Sequence, residues 1–119
     1  TCENVIFPDL CLYFFNYSSL TKIKEITIKN CRFPSSSTAN SMFSKLYTLT
    51  KLTLNGFDMT NVTTLDNMFL NAPAQITGTN TIIAGSSLTQ VDSMFYGCTG
   101  LEKDVDLSGM VCPNVTNLN

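Results

Sequence analysis

The stretch Leu52-Thr-Leu-Asn-Gly-Phe-Asp-Met-Thr-Asn-Val-Thr-Thr-Leu-Asp-Asn-Met-Phe69 decides how the rest of the chain is read, because its last two residues recur at a fixed interval. Met42-Phe43 precedes the pair Met68-Phe69 by 26 residues and Met94-Phe95 follows it by 26. Self-similarity at a fixed step of this size is the signature of a repeat architecture. Other columns keep the step. Leu20, Leu46, Ala72 and Cys98 are all apolar, and Ile23, Leu49 and Leu101 share a second column in which Gln75 is the polar exception. Beyond Leu101 the step becomes 27, so that Val62, Leu88 and Val115 align, as do Leu65, Val91 and Leu118. The extra residue falls within Glu102 to Asp104.

Within each repeat, Ile26-Thr27-Ile28, Leu52-Thr53-Leu54 and Val105-Asp106-Leu107 alternate apolar and polar residues, which predicts short strands stacked in parallel. In the third repeat Gln75, Gly78 and Asn80 fall on inward columns, so its strand is expected to be displaced or broken, with Ile76, Ile82 and Ile83 supplying the apolar contacts. Apolar residues at 62, 65, 68 and 69, echoed at 88, 91, 94 and 95, have helical spacing and predict about two turns of helix on the return path. The column Asn40, Asp66, Asp92, Asn119 then reads as helix N-caps. One carboxylate per repeat is too few for calcium. Residues 1–19 do not fit the repeat and, with Phe7, Tyr13, Phe14, Phe15 and Tyr17, read as an aromatic and cysteine-bearing cap. The expected fold is therefore an α/β leucine-rich-repeat solenoid of about four coils, with parallel strands on one face and helical turns on the other. The coils run about 20–45, 46–71, 72–97 and 98–119, the last incomplete.

The block at 52–69, with Ser93-Met-Phe-Tyr-Gly-Cys-Thr-Gly-Leu101 and Val105-Asp-Leu-Ser-Gly-Met110, resembles the BspA-like leucine-rich repeats of microbial surface proteins. The resemblance covers about residues 20–119 and departs from the pattern in the third repeat and in the cysteines. It implies a secreted or surface-displayed protein used in adhesion and protein binding, with no catalytic residues to carry over.

Composition bears on function class independently. The 119 residues, 44% of them apolar, suit one small core, and only 13% are charged, against about 25% in an ordinary soluble domain. A net charge of −2 disfavours nucleic acid as a partner, while a surface of Ser, Thr and Asn suits an extracellular location. No run of about 18 apolar residues predicts a membrane span. The chain has no His, which removes the commonest general base and transition-metal ligand, and no nucleophile or phosphate-loop motif is present. Neither an enzyme nor a cofactor or metal site is expected.

Candidate site residues fall into three groups. Of five cysteines, Cys31 shares a column with Phe57, Ile83 and Met110, Cys112 with Phe33 and Met59, and Cys98 with Leu46, so these three read as core thiols, although a bridge between two of them is the rival. Cys2 and Cys11 are the expected disulfide, with Cys11 to Cys31 its competitor. N-glycosylation sequons begin at Asn16, Asn61 and Asn114. The last two share a column with Ser35 and Ser87, where a polar side chain would equally serve to bond turn backbone. The expected binding face comprises the outward strand residues Thr27, Thr53, Thr79 and Asp106 with Lys29 and Lys51. A threonine row is also what an ice-binding surface needs, but one threonine per repeat and a charge in the fourth argue against it.

The function expected from these features is protein binding or adhesion at a microbial cell surface. The alternative is a structural subunit stacked end to end with identical copies into an extracellular filament. Residues 1–51 carry a net +3 and residues 52–119 a net −5, a split that favours head-to-tail contact.

Overall fold

A computed structural model describes residues 1–7, 15, 22–101 and 105–116 of the chain. Alternation of apolar and polar residues produces two main strands of the same inside–outside pattern, β2 at Glu25–Lys29 and β4 at Lys51–Asn55. They pair in parallel with Ile26 opposite Leu52 and Ile28 opposite Leu54, a step of 26 residues. On their outer sides lie β1 at Cys2–Glu3 and β6 at Gln75–Thr77, giving a four-stranded sheet of order β1-β2-β4-β6. A second, two-stranded parallel sheet joins β3 at Ser37–Thr38 to β5 at Val62–Thr64. Between the two sheets sits one core, in which Leu52, Leu54, Phe57, Leu65, Met68 and Phe69 are fully buried.

The expectation of a leucine-rich-repeat solenoid with helical turns is overturned: the described residues form six short strands in parallel sheets and contain no helix. The segment from Val62 shows why. Val62–Thr64 is strand, and residues 65–72 form a run of tight turns closed by bonds of three-residue span, Met68 N to Leu65 O, Leu70 N to Asn67 O and Ala72 N to Phe69 O. Asn67 and Asn71 sit at φ 57° and 55°, the left-handed region that asparagine tolerates and that no α-helix contains. The intervening N–H groups of Leu65, Asn67, Phe69 and Asn71 donate to Gln90, Asp92, Met94 and Tyr96 carbonyls of the next coil. A helix would need those donors within its own segment. The turns still place every third or fourth residue inward, so Leu65, Met68, Phe69 and Ala72 are buried with a spacing that imitates a helix.

The column Asn40, Asp66, Asp92 does not cap helices. Asn40 Oδ1 accepts the backbone N–H of Asp66 at 3.1 Å and the hydroxyl of Thr64, while Asp66 Oδ1 accepts the N–H of Asp92 at 2.9 Å. The side chains of Asn40 and Asp66 thus each receive the backbone of the next coil; Asn119 lies outside the described residues.

Phenylalanines run through the core in two stacks. Phe15, Phe43, Phe69 and Phe95 succeed one another with ring centroids 5.1, 5.6 and 5.2 Å apart and planes within 12°. Phe7, Phe33 and Phe57 form the second stack, at 5.4 and 5.9 Å. Offset stacking of this kind adds to burial. Phe95, expected to be buried with Met68, Phe69 and Met94, is only partly so. Although residues 1–19 appear outside the repeat in the sequence, Cys2 pairs with Ile28 and Ile6 with Arg32, again a step of 26. The rest of that segment, Tyr13, Phe14 and Tyr17 included, lies outside the described residues.

In the third coil the register departs from 26. Lys51, Leu52 and Thr53 pair with Gln75, Ile76 and Thr77, a step of 24, and Asp58 bridges Ile83 at a step of 25. By Thr64 and Gln90 the step is 26 again. Losing two residues keeps the inside–outside alternation of a strand while moving every residue one pair along. Gln75 therefore lies beside exposed Lys51 instead of inside, Gly78 and Asn80 are exposed, and Ile76 and Ile82 are buried where Leu52 and Phe57 set the pattern. Ile83, expected on the core column, is half-buried opposite Asp58. Val105-Asp106-Leu107 is not a strand.

Candidate binding surface

On the outer face of the four-stranded sheet the polar halves of the strands line up in rows. Thr27, Thr53 and Thr77 are register partners, each half-buried, and the hydroxyls of Thr53 and Thr77 are 3.4 Å apart. Glu25, Lys51 and Gln75 form the row on one side, and Lys29 and Asn55 the row on the other. Thr27, Thr53, Lys29 and Lys51 of the expected face thus share one surface.

Thr79 and Asp106 do not join them. The two-residue shortening gives the third place in the row to Thr77, while exposed Thr79 donates its N–H to Asn55 Oδ1 at 3.0 Å. Asp106 lies in a turn. Its Oδ1 accepts the N–H of Ser108 at 3.0 Å and the Ser108 hydroxyl, and its Oδ2 accepts the N–H of Asn80 at 2.9 Å. Asp58 and Thr60 build the same turn in the second coil, with both Thr60 donors on Asp58 Oδ1 at 3.0 and 2.8 Å. Lys29 carries an ion pair with Glu3 at 2.9 Å. At this exposure the pair contributes little to stability, but it occupies the ammonium.

The Ser108 hydroxyl, the Asn80 N–H and the Ser108 N–H hold the Asp106 carboxyl below its ordinary 3.8, in that order of influence. A carboxyl depressed in the folded state stabilises the fold above its unfolded pKa, and that contribution disappears as pH falls through the folded value. Asp106→Asn is therefore expected to melt below the parent at neutral pH and to converge with it in strong acid. Melting curves of both from pH 7 to pH 2 check this, and a constant gap across the range contradicts it.

Both repeat sequons direct their side-chain nitrogen at the preceding coil. Asn61 Nδ2 donates to the carbonyls of Phe33 at 3.1 Å and Pro34 at 3.4 Å, and Asn114 Nδ2 donates to Ser86 O at 2.7 Å. The atom to which a glycan would attach is thus a donor between coils at both positions. Asn61 is half-buried and Asn114 exposed. Asn16 lies outside the described residues.

Cys31 is fully buried, its thiol 3.5 Å from the Cys2 carbonyl oxygen. Cys98 and Cys112 are half-buried, and burial raises both thiols above their ordinary value, in Cys98 against a lowering backbone bond from Ala72. Raised thiols are poor nucleophiles. Cys2 carries a free thiol in this structure, and Cys11, its expected disulfide partner, lies outside the described residues.

Among the described residues no cluster of three or more Cys, Asp or Glu is placed to hold a metal ion, and no helix is long and apolar enough to cross a membrane. Comparison with known proteins gives no family model, curated protein or solved structure that matches the chain. The sequence columns missed Thr77, misplaced Thr79 and Asp106, and read the acceptors Asn40 and Asp66 as caps. Thr77 had a signal, the pairing of Ile76 with its polar neighbour, whereas the acceptors carried one that fits caps equally well.

Proposed function

We propose that this chain is an extracellular protein-binding or adhesion module of a microbial cell-surface repeat protein, and that it engages its partner through the outer face of the four-stranded sheet. The observation that carries this reading is the row Thr27, Thr53, Thr77, flanked by Glu25, Lys51 and Gln75. Parallel strands hold these short side chains at fixed spacing, so little side-chain entropy is lost when a partner covers them. The scarcity of charge and the resemblance of the 52–69 block to BspA-like surface repeats support the same reading.

Beads coated with the chain are expected to adhere to cells bearing surface protein and to lose adhesion when that surface is stripped by protease. Thr53→Arg, which puts a long side chain in the middle of the row, is expected to abolish adhesion with an unchanged circular dichroism spectrum. Adhesion that survives either treatment overturns the proposal. End-to-end stacking of identical copies is favoured by one observation, the exposed Val5 and Ile6 in the first coil and Val111 in the last. In the same experiment stacking appears as beads clumping with one another in the absence of cells.

A further inference from the structure

Hydrogen bonds between the first two coils gather cationic residues at one corner of the sheet. Thr48 Oγ1 donates to Ile23 O at 3.0 Å, and Thr50 Oγ1 and Lys51 N donate to Lys24 O at 2.9 and 3.1 Å. The segment 22–24 is thereby laid alongside 48–51, where the chain enters β4. Lys22, Lys24 and Lys51 are exposed there, and exposed Lys45 lies in the turn that leads into 48–51. Tyr47 lies in the same turn as Lys45, 67% exposed, its N–H bonded to Lys45 O at 2.9 Å. Exposed Glu25, the register partner of Lys51, lies at the same corner, yet among the described residues none of these four ammonium groups has a carboxylate within salt-bridge distance, and the ion pair of this region, Lys29 with Glu3, lies at the other end of the strand. Residues 22–51 hold six of the seven cations of the chain and one acid, Glu25, while the remainder holds Lys103 against eight acids.

We propose that this corner binds a sulfated polysaccharide. A cluster of like charges concentrated in an otherwise acidic molecule lowers its own repulsion by taking up a polyanion. The cations at the corner are lysines, compact point charges without the planar fork that reads one carboxylate or phosphate. They suit anionic groups whose positions vary along a polymer. An exposed tyrosine ring offers an apolar face with a polar tip, which fits the C–H face of a pyranose. An acidic peptide supplies charge but no ring. The proposal rests on the extracellular part of the adhesion reading for where such a ligand is met, but not on the threonine row.

The test is calorimetric titration of the chain with a heparin octasaccharide, the desulfated oligosaccharide and a polyglutamate peptide, in low-salt and molar-salt buffer. The expected result is binding of the sulfated sugar alone, lost at high salt and weakened about tenfold or more in Lys24→Gln/Lys51→Gln. Lys29→Gln/Arg32→Gln, with the same change of net charge, is expected to bind almost as the parent does. Tyr47→Ala is expected to weaken binding and Tyr47→Phe to leave it unchanged. All these side chains are exposed, and melting curves confirm that each variant is folded. Equal binding of polyglutamate or of the desulfated sugar overturns the proposal, as does an equal loss in the two double variants. Thr53→Arg is expected to retain heparin binding, which separates failure of this proposal from failure of the adhesion reading. Sedimentation showing that the Lys24/Lys51 pair mediates self-association without heparin assigns the corner to a second copy instead and also overturns it.

Discussion

Phe69→Ala is expected to lower stability by roughly 3–5 kcal/mol. Phe69 is fully buried and stacks on two rings at once, Phe43 at 5.6 Å and Phe95 at 5.2 Å, so truncation removes an inner member of a four-ring column. Its neighbours in the turn cannot collapse into the space, because the backbone N–H groups of Phe69 and Asn71 are bonded to the next coil and hold the segment open. For a domain of this size the loss corresponds to a fall in melting temperature of roughly 10–20 °C. A scanning measurement of the variant beside the parent decides it. A shift of a degree or two means that the column does not organise the core.

An effect at least as large, about 4 kcal/mol or more, is expected from Gly78→Val. Gly78 has φ 133°, which L side chains rarely adopt, and a Cβ there would lie 1.8 Å from the carbonyl oxygen of Leu54. The obstacle is backbone of the neighbouring coil, in the middle of the sheet, and cannot swing aside as a side chain would. Gly85→Ala provides the contrast, since a Cβ at that position meets nothing nearer than Thr60 O at 3.7 Å. That substitution is expected to change stability by no more than about 1 kcal/mol. Urea unfolding of the two variants in parallel tests the close approach, and similar midpoints would show that Leu54 and Gly78 are not in contact.

Much of the pairing was legible in the sequence, because the 26-residue step is itself the register. Where Met42-Phe43, Met68-Phe69 and Met94-Phe95 recur, the coils lie one on another and these residues are buried or, at Phe95, partly so. What the columns could not distinguish was a helix from a chain of turns. Both bring residues 65, 68, 69 and 72 to one side, and the difference lies in where the backbone N–H groups go, which side-chain hydrophobicity does not record. The signal that separates them is asparagine. Asn67 and Asn71 occur four residues apart at positive φ, with Ser41, Lys45 and Ser93 taking the same conformation in other coils. The third coil misled for a different reason. A fixed step forced Gln75 inward, although a shortening by two residues preserves strand alternation and puts Ile76 inside. In the candidate surface this error exchanged Thr77 for Thr79. Asp106 was misplaced because Val105-Asp106-Leu107 imitates a strand while Asp106-Leu107-Ser108 closes a turn. The cationic corner was visible only as a net charge until the bonds from Thr48 and Thr50 brought 22–24 beside 48–51.

The acceptor column of Asn40 and Asp66 has a mechanical consequence. Like the ladder bonds of both sheets, the bonds from Asp66 N to Asn40 and from Asp92 N to Asp66 run along the stacking direction, from each coil to its neighbour. A tensile force applied along that direction falls on one inter-coil layer at a time, so the molecule peels in steps of one coil, each about 26 residues of released contour. A force applied along the strands loads all the bonds of a layer together in shear and meets far greater resistance. The fold is therefore anisotropic under strain, compliant along the stack and stiff within it, and the direction of an applied load determines how long the coils stay together.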